Sequence, residues 1–304
     1  MKNIKPLSAS LIISFLLLTS LALAWGDYCH TRITSNAIEN LPVSMATVFR
    51  PYKQWLADTS TDNGVRTNWD ANESYFHYQD ADANSAIQWP FTTFPRNYTD
   101  YLAKYTVSSG YCLFAVVSVN QKFTESLRTW KANPTPSNLT TAMYWMTRVS
   151  HYTADLSQPM HLTKNYNANG VHSRYETTMI TKYTPSISST SGSGAIYRSN
   201  QLEFCFSLLS ANYPYYPLIT AADTAAQKSA GSTSSNTYYS LLWASTQSFT
   251  TTLLNQSAID VASLWYTAWV DAGLNGGTTV PVELSEFITV SEDMDIPRST
   301  YINP

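Results

Sequence analysis

Charge is scarce in this chain. Its 304 residues carry 18 Lys and Arg against 21 Asp and Glu, a formal net charge of −3. A dedicated duplex-DNA binder carries a basic surplus, so the composition argues against electrostatic capture of nucleic acid. Cysteine is scarcer still, and Cys29, Cys112 and Cys205 are too few for a disulfide scaffold. One bridge suits an oxidising compartment; Cys112 with Cys205 is the expected pair, which leaves Cys29 free. No Gly-rich run of the kind that cradles nucleotide phosphates occurs. Beyond residue 24 no apolar run is long enough to anchor the chain in a bilayer. Internal repeats are absent, and no shift in composition marks a second domain.

The first 24 residues read as a leader. Lys2 and Lys5 give a positive start, Leu11 to Leu18 is a short apolar run, and Ala22-Leu23-Ala24 is a small-x-small cleavage site. The expectation is a secreted or periplasmic protein whose mature chain begins at Trp25. Loss of the two lysines leaves 16 basic against 21 acidic side chains, a net charge near −5. Sequons at Asn72, Asn97, Asn138 and Asn255 fit export.

The remaining sequence predicts an all-α fold in one domain over residues 25–276, with an irregular tail, 277–304, packed on it. Two helical stretches over Thr31–Trp55 are broken at Leu41-Pro42. An apolar face through Leu113, Val116, Val117 and Phe123 predicts a helix over Tyr111–Lys131. Ser137 or Asn138 can cap another that runs to about Leu156. Further helices are expected over His172–Tyr183, Asn200–Leu209, Tyr238–Leu254 and Ala258–Leu274, with loops at 63–74, 89–95, 184–194 and 229–236. One short strand is expected near Pro281–Val290.

Histidine is the residue whose distribution carries chemistry. There are five: His30, His77, His151, His161 and His172. His151 and Asp155 are four apart and share a helix face. Pro159 ends that helix and His161 follows. His172 and Glu176 repeat the spacing. Imidazole and carboxylate oxygen are ligands that zinc takes readily. One such pair alone is ordinary helix-face polarity; two within 26 residues, with a further histidine between, point to metal.

The stretch His151-Tyr-Thr-Ala-Asp155-Leu-Ser-Gln-Pro-Met-His161, followed by His172-Ser-Arg-Tyr-Glu176, resembles the signature of the zinc-dependent phospholipase C and S1/P1-type nuclease superfamily. It is closer to the bacterial phospholipases, although Ala154 stands where the pattern has Gly or Thr. Mature members of both groups begin with a Trp that binds zinc through its backbone, and Trp25 stands in that place. The resemblance implies three zinc ions. The first would be held by Asp58, His77, His151 and Asp155. The second would be held by Trp25, His30 and a bridging Asp155, and the third by His161, His172 and Glu176. Spacing alone leaves Asp58, Asp62 and Asp70 open; Ala57-Asp58 matches the superfamily's Ala-Asp. A water activated between two ions would attack phosphorus, with Asp155 and Asp58 as the catalytic carboxylates.

For the substrate, Glu176 and the short gap from His161 to His172 resemble phospholipase C, while Trp25-to-His30 spacing resembles the nucleases. The implied partner is phospholipid at a membrane surface, by default a choline lipid, or else single-stranded nucleic acid; a monomer is expected. Tyr78 and Asp80 would hold a base in a nuclease. The phospholipase choline cage does not carry over, because Thr59 and Ser74 replace its aromatics; Asp27, Tyr75 and Phe76 are candidates to rebuild it. Thr61 stands where the nucleases have Arg. The aromatic loops Trp89–Phe94 and Tyr213–Pro217 suit either a lipid interface or ordinary packing. A secreted zinc-binding protein without turnover is the non-enzyme alternative.

Overall fold

The computed structural model describes residues 25–61, 73–184 and 194–275. These residues form helices, turns and loops, with no strand among them. The leader, the candidate ligands Asp62 and Asp70, and the strand expected near Pro281–Val290 lie outside the described residues.

The chain enters through α1 (Gly26–Glu39), turns at Leu41-Pro42, and continues as α2 (Val43–Phe49) and α3 (Lys53–Thr59). A helical turn over Glu73–Phe76 leads into a long loop that contains the short α4 (Tyr98–Leu102). Then α5 (Cys112–Ala132) and α6 (Pro136–Leu156) form an antiparallel hairpin. The cap of α6 is Thr135, not Ser137 or Asn138. Its Oγ1 accepts from the Asn138 amide at 3.2 Å, and Pro136, preset for the first helical position, follows at once.

The next helix, α7, is composite. Val171–Ser173 is α-helical, Arg174–Met179 is a π-helical turn, and Ile180–Tyr183 resumes the α form. Two helices, α8 (Gln201–Asn212) and α9 (Tyr215–Ala230), precede the 36-residue α10 (Asn236–Asp271). At 1.5 Å per residue α10 is about 54 Å long. It lies against α1, α5, α6 and α9, with Val261, Leu264, Trp265 and Ala268 buried. Trp265 Nε1 donates to the Met146 carbonyl at 2.8 Å, which ties α10 to α6.

Two expectations are corrected here. No break separates Leu254 from Ala258, because residues 236–271 contain neither Gly nor Pro. The apolar pattern lapses there at Asn255, Gln256 and Ser257, and earlier in the helix at Thr246 and Thr250, which are buried all the same; Thr246 bonds back to the Leu242 carbonyl at 2.8 Å and Thr250 pairs with Tyr175 at 2.8 Å. In turn, Tyr213–Pro217 opens α9 instead of forming a loop. Pro217 sits in the first turn, where a helix leaves its amides unused anyway.

All three cysteines are free and buried, so the expected Cys112–Cys205 bridge is not formed. Burial pushes the thiols of Cys29 and Cys112 well above their ordinary range, the state of inert structural cysteine.

Candidate metal centre

The site lies where α1, the segment 73–81, the end of α6 and α7 meet. His151 and Asp155 project from one face of α6, as the spacing requires. Gln158 then turns the chain, its Oε1 accepting from the Met160 amide at 2.9 Å, and a 3₁₀ turn over Pro159–Leu162 carries His161 back toward the helix end. The segment after His77 is pinned alongside: Gln79 donates to the His161 carbonyl at 2.8 Å and Ala81 to the Leu162 carbonyl at 3.1 Å. Gly110 permits this approach. Its φ is +71°, and a Cβ there would fall 2.1 Å from the Tyr78 carbonyl oxygen.

Trp25 is buried at the start of α1 with φ +34°. Gly26 brings this end of the chain against α7; a Cβ on it would sit 3.4 Å from the Glu176 carbonyl and 3.3 Å from Thr177 Oγ1. One turn on, His30 stacks on His151 with ring centroids 3.9 Å apart and 10° between planes.

Asp155 is the centre of the first group. Its Oδ2 lies 2.9 Å from His77 Nδ1 and 3.4 Å from His151 Nε2, and those two nitrogens are 2.9 Å apart. Its Oδ1 faces the other way, 3.3 Å from His30 Nε2. In the second group Glu176 Oε2 lies 3.0 Å from His172 Nε2 and 3.5 Å from His161 Nε2. Gln158 Nε2 donates to the same oxygen at 2.8 Å and orients the carboxylate.

These distances fit metal. Ligand atoms at tetrahedral zinc, with bonds of 2.0–2.2 Å, stand about 3.3 Å from one another. All seven side chains are at most 6% exposed, yet both ring nitrogens of His30, the Nε2 atoms of His77, His161 and His172, and Asp155 Oδ1 make no hydrogen bond. So many unsatisfied buried polar atoms at one place call for a ligand. The groups that do bond leave the right atom over. His151 Nδ1 is 2.7 Å from the Ser60 carbonyl and His161 Nδ1 is 2.6 Å from the His77 carbonyl, which keeps each Nε2 lone pair for a cation.

Electrostatics agree. Burial alone would push Asp155 up, but His151, His30 and His77 around it hold its carboxyl well below the ordinary range. Burial likewise opposes ionisation of Glu176, and His172 and His161 bring it to about 2. Burial lowers the His77 imidazolium, yet Asp155 and Glu73 outweigh this and raise it to about 9. His151, buried against His30, is held well below its usual value. Two ionised carboxylates thus lie among the buried imidazoles; His151 is held neutral, and a divalent ion at this group would displace the proton that Asp155 and Glu73 hold on His77.

Asp58 is not brought to this group. It is exposed on the far side of α3 and accepts from Gln54 Nε2 at 2.8 Å. The end of α3 meets the site through the Ser60 carbonyl instead. Sequence reading also missed Glu73, which is buried with Oε1 3.8 Å from His77 Nε2 and bonded by the Tyr152 hydroxyl. Its signal was present: Glu73 and His77 are four apart, like the other two pairs.

The candidate substrate residues divide. Tyr75 and Tyr78 are half-buried, their rings 6.4 Å apart. Asp80 is half-buried too; burial and Asp82 raise its carboxyl to about 7 against the pull of His161 and Lys164. Phe76 is core, packed on Tyr111 and Tyr152, and Asp27 is exposed on α1. Tyr166, which sequence reading overlooked, packs edge-on against His172 at 5.3 Å and is 43% exposed. The two aromatic stretches pack on each other through Phe91 and Tyr213, 4.8 Å apart, and of their aromatic side chains only Trp89 is exposed.

No family model matches the sequence, and no curated protein matches it. Among solved structures, the chain is similar to the alpha toxin from Clostridium absonum, with a TM-score of 0.46 and 14% identity over 83% of this chain. The chain spans 65% of the length of that toxin chain. At that similarity nothing about chemistry passes from one protein to the other.

Proposed function

We propose that this protein is a secreted zinc-dependent hydrolase of phosphate esters, a phospholipase C acting on choline-type head groups. The observation that carries the reading is Asp155, whose Oδ2 lies 2.9 Å from His77 and 3.4 Å from His151 and whose Oδ1 lies 3.3 Å from His30. A carboxylate so placed would bridge two cations. His77, His151 and Asp155 would hold one; His30, Asp155 and the backbone of Trp25 a second; His161, His172 and Glu176 a third. Zinc in these positions supplies a Lewis acid for phosphoryl oxygens and lowers the pKa of water toward neutrality.

The chain's own residues do the rest. Asp155 spaces the two positions, and Gln158 holds Glu176 toward His172. Tyr166 packs on His172, and Tyr78, next to His77 in the chain, pairs with Tyr75; none of the three is fully buried, and they suit a cationic head group. Asp80 adds a carboxylate beside them. Glu176 and the short His161-to-His172 gap favour phospholipase C over the S1/P1-type nucleases. The nuclease reading keeps one specific support, the pairing of Tyr78 with Asp80 beside His161. Among the described residues no helix is long and apolar enough to cross a membrane.

The test is a parallel assay on phosphatidylcholine, sphingomyelin and single-stranded DNA, with zinc analysis of the same sample. Release of phosphocholine that stops on chelation, at close to three zincs per chain, is the expected result. Cleavage of DNA alone moves the protein to the nucleases, and zinc uptake without any turnover makes it a binding protein. A version with one residue added before Trp25 should lose the second zinc, since a peptide nitrogen lacks the lone pair of an α-amine.

A further inference from the structure

We propose that Glu73 is a positioning residue of the metal centre: its buried carboxylate takes the Nε2–H of His77 and fixes the tautomer that aims Nδ1 at the ion shared with His151 and Asp155. This rests on the zinc reading above. The argument begins with ring orientation. His151 and His161 both turn Nδ1 to a backbone carbonyl and present Nε2. His77 is reversed. Its Nδ1 is the nitrogen 2.9 Å from both His151 Nε2 and Asp155 Oδ2, and its Nε2 faces Glu73 Oε1 at 3.8 Å.

A neutral imidazole has one N–H. A proton on Nδ1 would occupy the space between His151 Nε2 and Asp155 Oδ2, where the ion belongs. The proton must then sit on Nε2, which is buried and makes no hydrogen bond. Glu73 is the acceptor within reach, itself buried, and four residues before His77 on a helical turn. The gap of 3.8 Å exceeds a hydrogen bond. In the proposed arrangement an ion would take the place of the contact between Nδ1 and Asp155 Oδ2, and the ring would close that gap onto Glu73. Tyr152 completes the support. Its hydroxyl donates to Glu73 Oε1, and its ring packs against both His77 and His151, at 5.3 and 5.6 Å. Carboxylate–imidazole–metal chains of this kind hold the ligand's tautomer and raise its basicity, and their loss costs roughly 10–100-fold in metal affinity.

The experiment uses the mature, zinc-loaded protein labelled with ¹⁵N. Correlation of the ring nitrogens with their carbon-bound protons reports each histidine's tautomer. His77 is expected with its proton on Nε2 and metal on Nδ1. A proton on Nδ1 with metal on Nε2 overturns the proposal. In parallel, chelator competition measures zinc affinity for Glu73→Ala and Glu73→Gln. Glu73→Ala is expected to weaken one zinc by about 10–100-fold and to spare the zinc of His161, His172 and Glu176. Glu73→Gln, whose amide oxygen still accepts, should recover part of the loss. Wild-type affinity in Glu73→Ala, with only a lower melting temperature, overturns the proposal as well. If Glu73→Ala does not fold, the wild-type tautomer decides. The expected tautomer without phosphodiesterase activity sinks the hydrolase reading and leaves this one standing; activity with the reversed tautomer does the opposite. A wild-type protein that takes up no zinc overturns both.

Discussion

The two groups of candidate ligands are assembled in opposite ways. His161, His172 and Glu176 fall within sixteen consecutive positions, and Gln158, which orients Glu176, lies just before them. Local turns place them: the 3₁₀ turn after α6 and the π-helical turn of α7. The group around Asp155 gathers His30 from α1, His77 from the loop after α3, and His151 from α6. Those segments meet only when the helices pack. The local group is placed by short-range turns, whereas the Asp155 group depends on the packing of separate helices. Metal binding at the second kind of site would add directly to folding energy.

Asp155→Asn should break the comparison hardest. An amide cannot bridge two cations as a carboxylate does. The expected loss is about 10³-fold in phosphodiesterase rate, or roughly 4 kcal/mol, with two zincs missing by metal analysis. A fall of less than tenfold with full zinc would show that Asp155 is a helix-face carboxylate and no more.

Glu176→Gln comes next. It touches one ion, so the expected rate loss is about 10²-fold, near 3 kcal/mol, with one zinc lost and two retained. Loss of all three would show that the local group supports the packed one.

Asp223→Asn probes how the local group is held. Arg174, between His172 and Glu176 in sequence, is gripped by both oxygens of Asp223 at 2.8 and 3.0 Å, with Tyr238 beside them. Breaking this largely buried pair should lower stability by about 3 kcal/mol, read from the urea midpoint, and leave the zincs of the Asp155 group in place. An unchanged midpoint would mean that α7 is anchored elsewhere.

The smallest effect is expected at Asp58→Asn. An exposed carboxylate whose partner among the described residues is Gln54 should cost within about 0.5 kcal/mol, with zinc content unchanged. Loss of a zinc would show that α3 presents Asp58 to the ion when metal binds.

The sequence by itself determined the helical class, the two helices α5 and α6, and the shared face of His151 and Asp155. These follow from local rules: 3.6-residue periodicity and i, i+4 spacing act within a few turns of chain. It also carried the Glu73–His77 pair, which went unread because a short turn beside a loop lacks an apolar stripe. Only the tertiary structure decided the rest. Continuous α10 depends on hydroxyl side chains that find partners across the core, and α9 on a proline tolerated in a first turn. Nothing within α6 states that one oxygen of Asp155 faces α1 and the other the loop at His77. That division, and the outward placement of Asp58, depend on how separate helices pack, which is a property of contacts between residues far apart in the chain.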